Sequence, residues 1–524
     1  MKVTGISLLF AVANPAASHL VKGRQDDMRI SLSQFAGLPP QQQVCEVLRK
    51  SYPNFTSFPN STAYTADNTD YWTAASSLGP ACIFAPNRAQ DLGTAILLLR
   101  TAKASFAVRG GGHMPIGDFN NIDARGVLLS SSNFKQLSYT ANKASVNVGP
   151  DNRWQDVYKF ISPDNLLVVG GRVGIVGIPG FFLGGGVSFL GNQYGWAVNN
   201  LVSLTVVLAT GKVVTINSQN QYSDLFWAMK GGGNSFAIIT NLELKTYATA
   251  GTTIGDVQYG AGEDVKNKWI NAVVTNAQNG NQDEKHGVIP LAVKQSLQPE
   301  VGITYQASLF YNGDNQAPAV LANFTAPNFP TLTSSFARKS LGDYVQEGAA
   351  SQPPPGILRQ RFYFMSIPAS ASALLIAHDT FFAKVDQNLN GNVPFYVTAF
   401  AAMSMPTSFF QNAINRGGEP MSIQPSGGPQ IWIEFSHTYQ RPEDEPIIDA
   451  YLRDLDSTLR AALTANGTPP NKFIYLNDAD KFQNVFAGYP ASSVQRLKSI
   501  RNKYDPSKVF TTQQPGGWKV DAAR

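Results

Sequence analysis

Charge is scarce in this chain: Asp, Glu, Lys and Arg make up only 15% of its 524 residues and sum to a net +5. The cations are scattered, with no basic run able to track a phosphate backbone, so nucleic acid is not an expected partner. Long apolar runs are missing too. The most apolar window, residues 6–17, is interrupted by Asn14 and Pro15 and falls short of the roughly 20 residues of a bilayer-spanning helix, so no membrane span is expected. No internal repeat occurs, and no metal is expected. Cysteine is limited to Cys45 and Cys82, whose spacing leaves open one disulfide or two buried thiols.

What remains is apolar enough, at 43% hydrophobic residues, to build a packed core, and the length suits two domains. Residues 1–18 have the form of a short secretory signal: Met1 and Lys2, then Leu8 to Ala11, then small residues at Ala16, Ala17 and Ser18. Asn-x-Ser/Thr sequons at Asn54, Asn60, Asn323 and Asn466 point the same way, to a secreted glycoprotein.

Between residues 80 and 247, short β-rich runs alternate with glycine clusters. Strands are expected at Ala104–Val108, Val127–Leu129, Ala144–Val148, Leu201–Leu208 and Lys212–Ile216, and helices at Ala89–Lys103 and Arg153–Ile161. After Thr246 the glycines thin out. Longer strands (Ile303–Tyr311, Ile431–Thr438) then mix with amphipathic helices such as Pro446–Ala465, which marks a second domain. The class is α+β.

Three glycine constellations carry the chemistry. In the first, Arg109-Gly110-Gly111-Gly112-His113, a β run enters three glycines whose amides can converge on an anion without Cβ obstruction, and Arg109 adds charge; a dinucleotide pyrophosphate suits such a loop. The second runs Gly170-Gly171-Arg172-Val173-Gly174-Ile175-Val176-Gly177, then Leu183-Gly184-Gly185-Gly186. Its glycine period is not a Rossmann loop, because Pro179 follows too soon for the turn to open directly into a helix. The third, Gly231-Gly232-Gly233-Asn234, follows a helical turn and reads by itself as a helix stop.

In this order, and with Pro80-Ala81-Cys82, Trp154-Gln155-Asp156-Val157-Tyr158, Tyr489-Pro490 and Tyr504-Asp505-Pro506-Ser507-Lys508-Val509-Phe510, these motifs resemble the vanillyl-alcohol-oxidase (PCMH-type) flavoenzymes, in particular the fungal berberine bridge enzyme-like oxidases. The resemblance spans nearly the whole chain. It implies a two-part FAD domain from residues 19–247 (core about 76–247) and 470–524, and a substrate domain from 248–469 whose antiparallel sheet roofs the flavin under a cover of helices. It also implies a Cys45–Cys82 disulfide and FAD bonded through His113. A second, cysteinyl link is expected to be absent, because Val173 holds its place. That substitution points away from the open sites of oligosaccharide oxidases, toward a smaller substrate. Flavin contacts are implied for Arg109, Gly110, Gly111, Gly112, Gly170, Gly171, Gly174, Val176, Gly177, Gly184, Gly185, Ile238, Tyr475 and Asn477.

A flavin oxidation also needs a base for the substrate's proton. Alternation along Ile431–Tyr439 puts Trp432, Glu434 and Ser436 on one face and Ile431, Ile433 and Phe435 on the other, with His437 opposite Glu434. Glu434 is the first candidate, matching a Glu or Gln of plant relatives. Asp478 is the second; it stands where those relatives have a tyrosine base. Asn199-Asn200 lacks the acid usual at that place. The expected activity is oxidation of a small organic alcohol or secondary metabolite by hydride transfer to covalent FAD, with molecular oxygen as acceptor, in a monomer. A carbohydrate oxidase and a flavin-propped non-redox cyclase are the competing readings, and a flavin-storage protein leaves the polar sheet face without a purpose.

Overall fold

The computed structural model describes residues 32–523, so the expected signal segment lies outside the described residues. The expected strands and helices of the N-terminal half are present within a residue or two: strands at Ser105–Arg109, Gly126–Ser130, Ser145–Val148, Leu201–Val207 and Val213–Ile216, helices at Ala89–Ala102 and Trp154–Ile161. They sort into two sheets. A four-stranded sheet runs in the order Thr56–Ser57, Cys82–Phe84, Gly126–Ser130, Ser105–Arg109, its last three strands parallel. A five-stranded antiparallel sheet follows, centred on Ile238–Lys245.

The helix Ala89–Ala102 packs its buried Leu92, Ala95, Ile96 and Leu99 onto the first sheet together with the helix Pro40–Ser51. A Cys45–Cys82 disulfide ties that second helix to the sheet. The C-terminal helix Ala491–Tyr504 returns to this half of the molecule, where Lys503 and Tyr504 both donate to Asp224.

An eight-stranded antiparallel sheet is built from residues 253–439. One of its faces lies under the helices Glu263–Asn279, Ala371–Asn388 and Glu445–Ala465, and the other faces the glycine-rich half. The strand Gln430–Tyr439 pairs without a register break with Arg359–Pro368 and Tyr396–Met405. Strict alternation follows: Ile431, Ile433 and Phe435 join the core beneath the helices, while Trp432 joins the core on the other side. His437 also points under the helices, against Phe381 and Tyr451, and is held neutral by that burial. It is structural, as the unbroken register requires.

Candidate active site

Where the two halves meet, they enclose a cavity of about 560 Å³. Its floor comes from the glycine loops, its roof from the eight-stranded sheet through Leu291, Ala399, Ala401, Glu434 and Ser436, and its far end from Gly517 and Trp518.

The first glycine loop is fixed by contacts that admit no side chain. A Cβ on Gly111 would stand 2.4 Å from the Cα of Gly177, so the first and second constellations touch backbone to backbone. Gly112 has φ +71°, and a Cβ there would meet the carbonyl of Asp70 at 2.5 Å. Beneath the loop, Arg109 bonds Asp67, Asp70 and Ser130 Oγ, and Arg153 bonds Asp70 at 2.6 Å. Arg109 also lines the cavity, and the two carboxylates bonded to its guanidinium hold the loop in shape.

His113 leaves this loop into the cavity and stacks on Trp72, ring centroids 4.1 Å apart. Burial first, and the Arg153 charge second, push its pKa down to about 3, so the imidazole is neutral. Its Nδ1 is buried without a hydrogen-bond partner. Ser131 Oγ and Asp478 Oδ2 are two more partnerless buried atoms on the same cavity wall. Orphaned polar atoms of this kind are uncommon in folded proteins, and four around one cavity, Arg109 Nε being the last, describe a seat for a polar ligand.

Gly110, Gly171, Val176, Gly177, Ile238, Tyr475 and Asn477 line the cavity as expected. Gly170, Gly174, Gly184 and Gly185 do not: added Cβ atoms there would meet Trp154, the Val345 carbonyl, Asn477 and Met421 respectively. Those glycines serve close packing behind the wall. Tyr475 accepts from the Val187 amide and from Asn477 Nδ2, and Asn477 also donates to the Phe181 carbonyl, so the segment is pinned to the second constellation. The acid missing at Asn199-Asn200 is supplied from elsewhere, because Asn199 donates to the buried Glu419 at 3.0 Å.

Glu434 and Asp478 reach one end of the cavity from different segments, the roof strand and the C-terminal return. Burial raises Glu434 to about 7, against a lowering by Arg172. Asp478 is raised further, by burial and then by the Glu434 charge. The two carboxyls therefore resist being ionised together, and the proton stays on Asp478 in preference.

Sequence reasoning missed Trp72, Ser131, Phe362 and Trp518, which no local pattern marks, and gave Arg172 no role although it stands inside a quoted motif. The cavity fits FAD: a glycine-rich floor, an orphaned neutral imidazole and a carboxyl pair all open on it, and its lining extends past Ser131 and Ile238 to Trp518.

Comparison with known proteins agrees. Residues 80–217 match the FAD binding domain family model. Over 494 residues the chain is 32% identical to the FAD-dependent monooxygenase prx3 of Penicillium roqueforti, covering 91% of this chain and 93% of that protein. The fold is that of Physcomitrella patens BBE-like 1 (TM-score 0.71, 18% identity, 91% of this chain and 99% of that one). It is equally that of Acremonium strictum glucooligosaccharide oxidase, described as carrying a 6-S-cysteinyl, 8α-N1-histidyl FAD (TM-score 0.68, 17% identity, 92% and 100%). The chain belongs to the FAD-binding oxidoreductase family, and its fold is that of berberine bridge enzyme-like proteins. It is an FAD-dependent oxidoreductase, with FAD as its cofactor.

Proposed function

We propose that this protein is a secreted, monomeric oxidase that carries FAD on His113 alone and oxidises a small organic alcohol with Glu434 as base. The observation that carries the reading is the single cavity on which a neutral, partnerless His113 and the Glu434–Asp478 pair both open. A covalent link needs an imidazole nitrogen with a free lone pair. His113 Nδ1 is engaged in no hydrogen bond, and Trp72 and the packed glycine loop fix the ring's direction.

FAD supplies a two-electron acceptor for the hydride leaving the substrate carbon. Glu434, the more readily ionised of the pair, takes the hydroxyl proton. Asp478 stays protonated beside it and donates a hydrogen bond to the substrate oxygen. Ser436, two residues along the strand, shares the same face. Tyr475 and Asn477 hold the Asp478 turn in place. Oxygen is the final acceptor in this reading.

Val173, at the position assigned to a second attachment, has no thiol to offer. The roof around Glu434 presents Leu291, Ala399, Ala401 and Phe362, an apolar surface better suited to a compact organic substrate than to a sugar chain. The four sequon asparagines are all exposed, which supports glycosylation and passage through the secretory pathway.

The decisive test is acid precipitation of the purified protein followed by peptide mass analysis. Flavin is expected on the peptide containing His113 and is expected to leave the precipitate in His113→Ala. Flavin released from the wild type into the supernatant would overturn the covalent assignment.

A further inference from the structure

The cavity holds one cation that the oxidation chemistry above does not use. Arg172 sits in the second glycine constellation and lines the cavity beside the carboxyl pair. The fully buried arginines among the described residues are matched by carboxylates, Arg109 by Asp67 and Asp70, Arg361 by Asp480, Glu445 and Asp449, Arg501 by Asp521, whereas Arg172 is half-buried. Arg172 is different. Among the described residues its one hydrogen bond goes to the Met403 thioether at 3.0 Å, and no carboxylate lies within ion-pair distance. A thioether sulfur is a weak acceptor, and a guanidinium has five N–H groups to satisfy.

Strand register places this head group. Met403 stands opposite Trp432, and Ala401 opposite Glu434, in the antiparallel pair. Met403 and Glu434 are therefore diagonal neighbours on the roof, about 7–8 Å apart along the sheet. Arg172, held at Met403, and Glu434 therefore serve neighbouring positions of the roof, so a carboxylate bound by one and a hydroxyl bound by the other belong to one compact molecule. The roof and wall of the cavity are apolar at Leu291, Phe362, Ala399 and Ala401. An apolar wall strengthens a charge pair formed against it.

We propose that Arg172 is the specificity-determining residue of this enzyme and that its substrate is an apolar hydroxy acid, with the carboxylate on or next to the carbinol carbon. The planar guanidinium grips the carboxylate through two N–H groups, and this sets the hydroxyl at Glu434. The assignment rests on the oxidase reading of the same site and adds the substrate's charge to it.

The test uses the flavin-loaded enzyme and two probes that differ in charge, benzoate and benzamide, each titrated at pH 7.5 while the visible flavin band is followed. Benzoate is expected to shift the band in the wild type. Its dissociation constant is expected to rise at least about 10-fold in Arg172→Met and less in Arg172→Lys, with benzamide changed little by either. No benzoate response in the wild type, benzoate binding that survives in Arg172→Met, or an equal loss of both probes would each overturn the anchor. The last result would mean that Arg172 only balances the Glu434 charge. Peptide mass analysis of the same preparations for flavin on His113 reports separately on the oxidase reading, which stands or falls without the probe result.

Discussion

At the scale of single residues, function turns on how burial divides one proton between two carboxyls. Glu434 is the partner that ionises, at about 7, so flavin reduction by substrate under anaerobic conditions is expected to accelerate as pH rises through 7. Glu434→Gln is expected to slow that reduction by at least ~100-fold and to flatten its pH profile; stopped-flow absorbance checks both. Stability runs the opposite way. The folded protein binds the Glu434 proton more tightly than the unfolded chain, whose pKa is 4.5, so this residue's contribution to stability is full below 4.5 and is lost as pH rises through 7. Denaturation of Glu434→Gln between pH 5 and 8 should therefore vary less with pH than that of the wild type. Glu434 was legible in the sequence because alternation in an unbroken strand fixes which face a side chain takes. The state of its proton was not, because Asp478 and Arg172 arrive from segments far away in the chain.

At the scale of elements, the glycine constellations were legible as a cofactor seat but not in their division of labour. Sequence shows that a glycine is present; only packing shows whether it lines the cavity, as Gly110 to Gly112 do, or stands behind the wall and clears room for Trp154, as Gly170 does. Trp72 had no signal at all, since a lone tryptophan in a short irregular stretch is indistinguishable from a surface anchor until His113 is found stacked on it. The sharpest element-level contact is the one between Gly111 and Gly177. Gly111→Ala places a methyl 2.4 Å from backbone, which no side-chain rotation relieves. Forcing the two loops apart is expected to cost about 1–3 kcal/mol, measured by denaturant unfolding, and to lower the fraction of protein carrying flavin.

At the scale of the whole molecule, the two halves are bound by buried polar groups as well as by apolar packing. His286 of the roof sheet, fully buried, is bonded by Asn192 of the glycine-rich half. The Cys45–Cys82 bridge closes a separation of 37 residues, and neither cysteine lines the cavity. Replacing both cysteines by alanine is expected to lower the free energy of unfolding by about 3–4 kcal/mol while flavin on His113 is retained; denaturant titration and peptide mass read the two outcomes. The α+β class and the broad layout followed from the switch in texture near residue 246. The meeting of the halves did not, because Asn192 and His286 belong to no local pattern.

The cavity wall is drawn from nearly the full length of the chain, from Trp72 to Trp518. During synthesis the ribosome must therefore release almost the entire polypeptide before the pocket has all its sides. His113 emerges early, yet its neutral, desolvated state depends on neighbours made at different times. On the proposed linkage through His113, attachment of the cofactor is expected to be a late event in the protein's biogenesis, confined to chains that have finished folding.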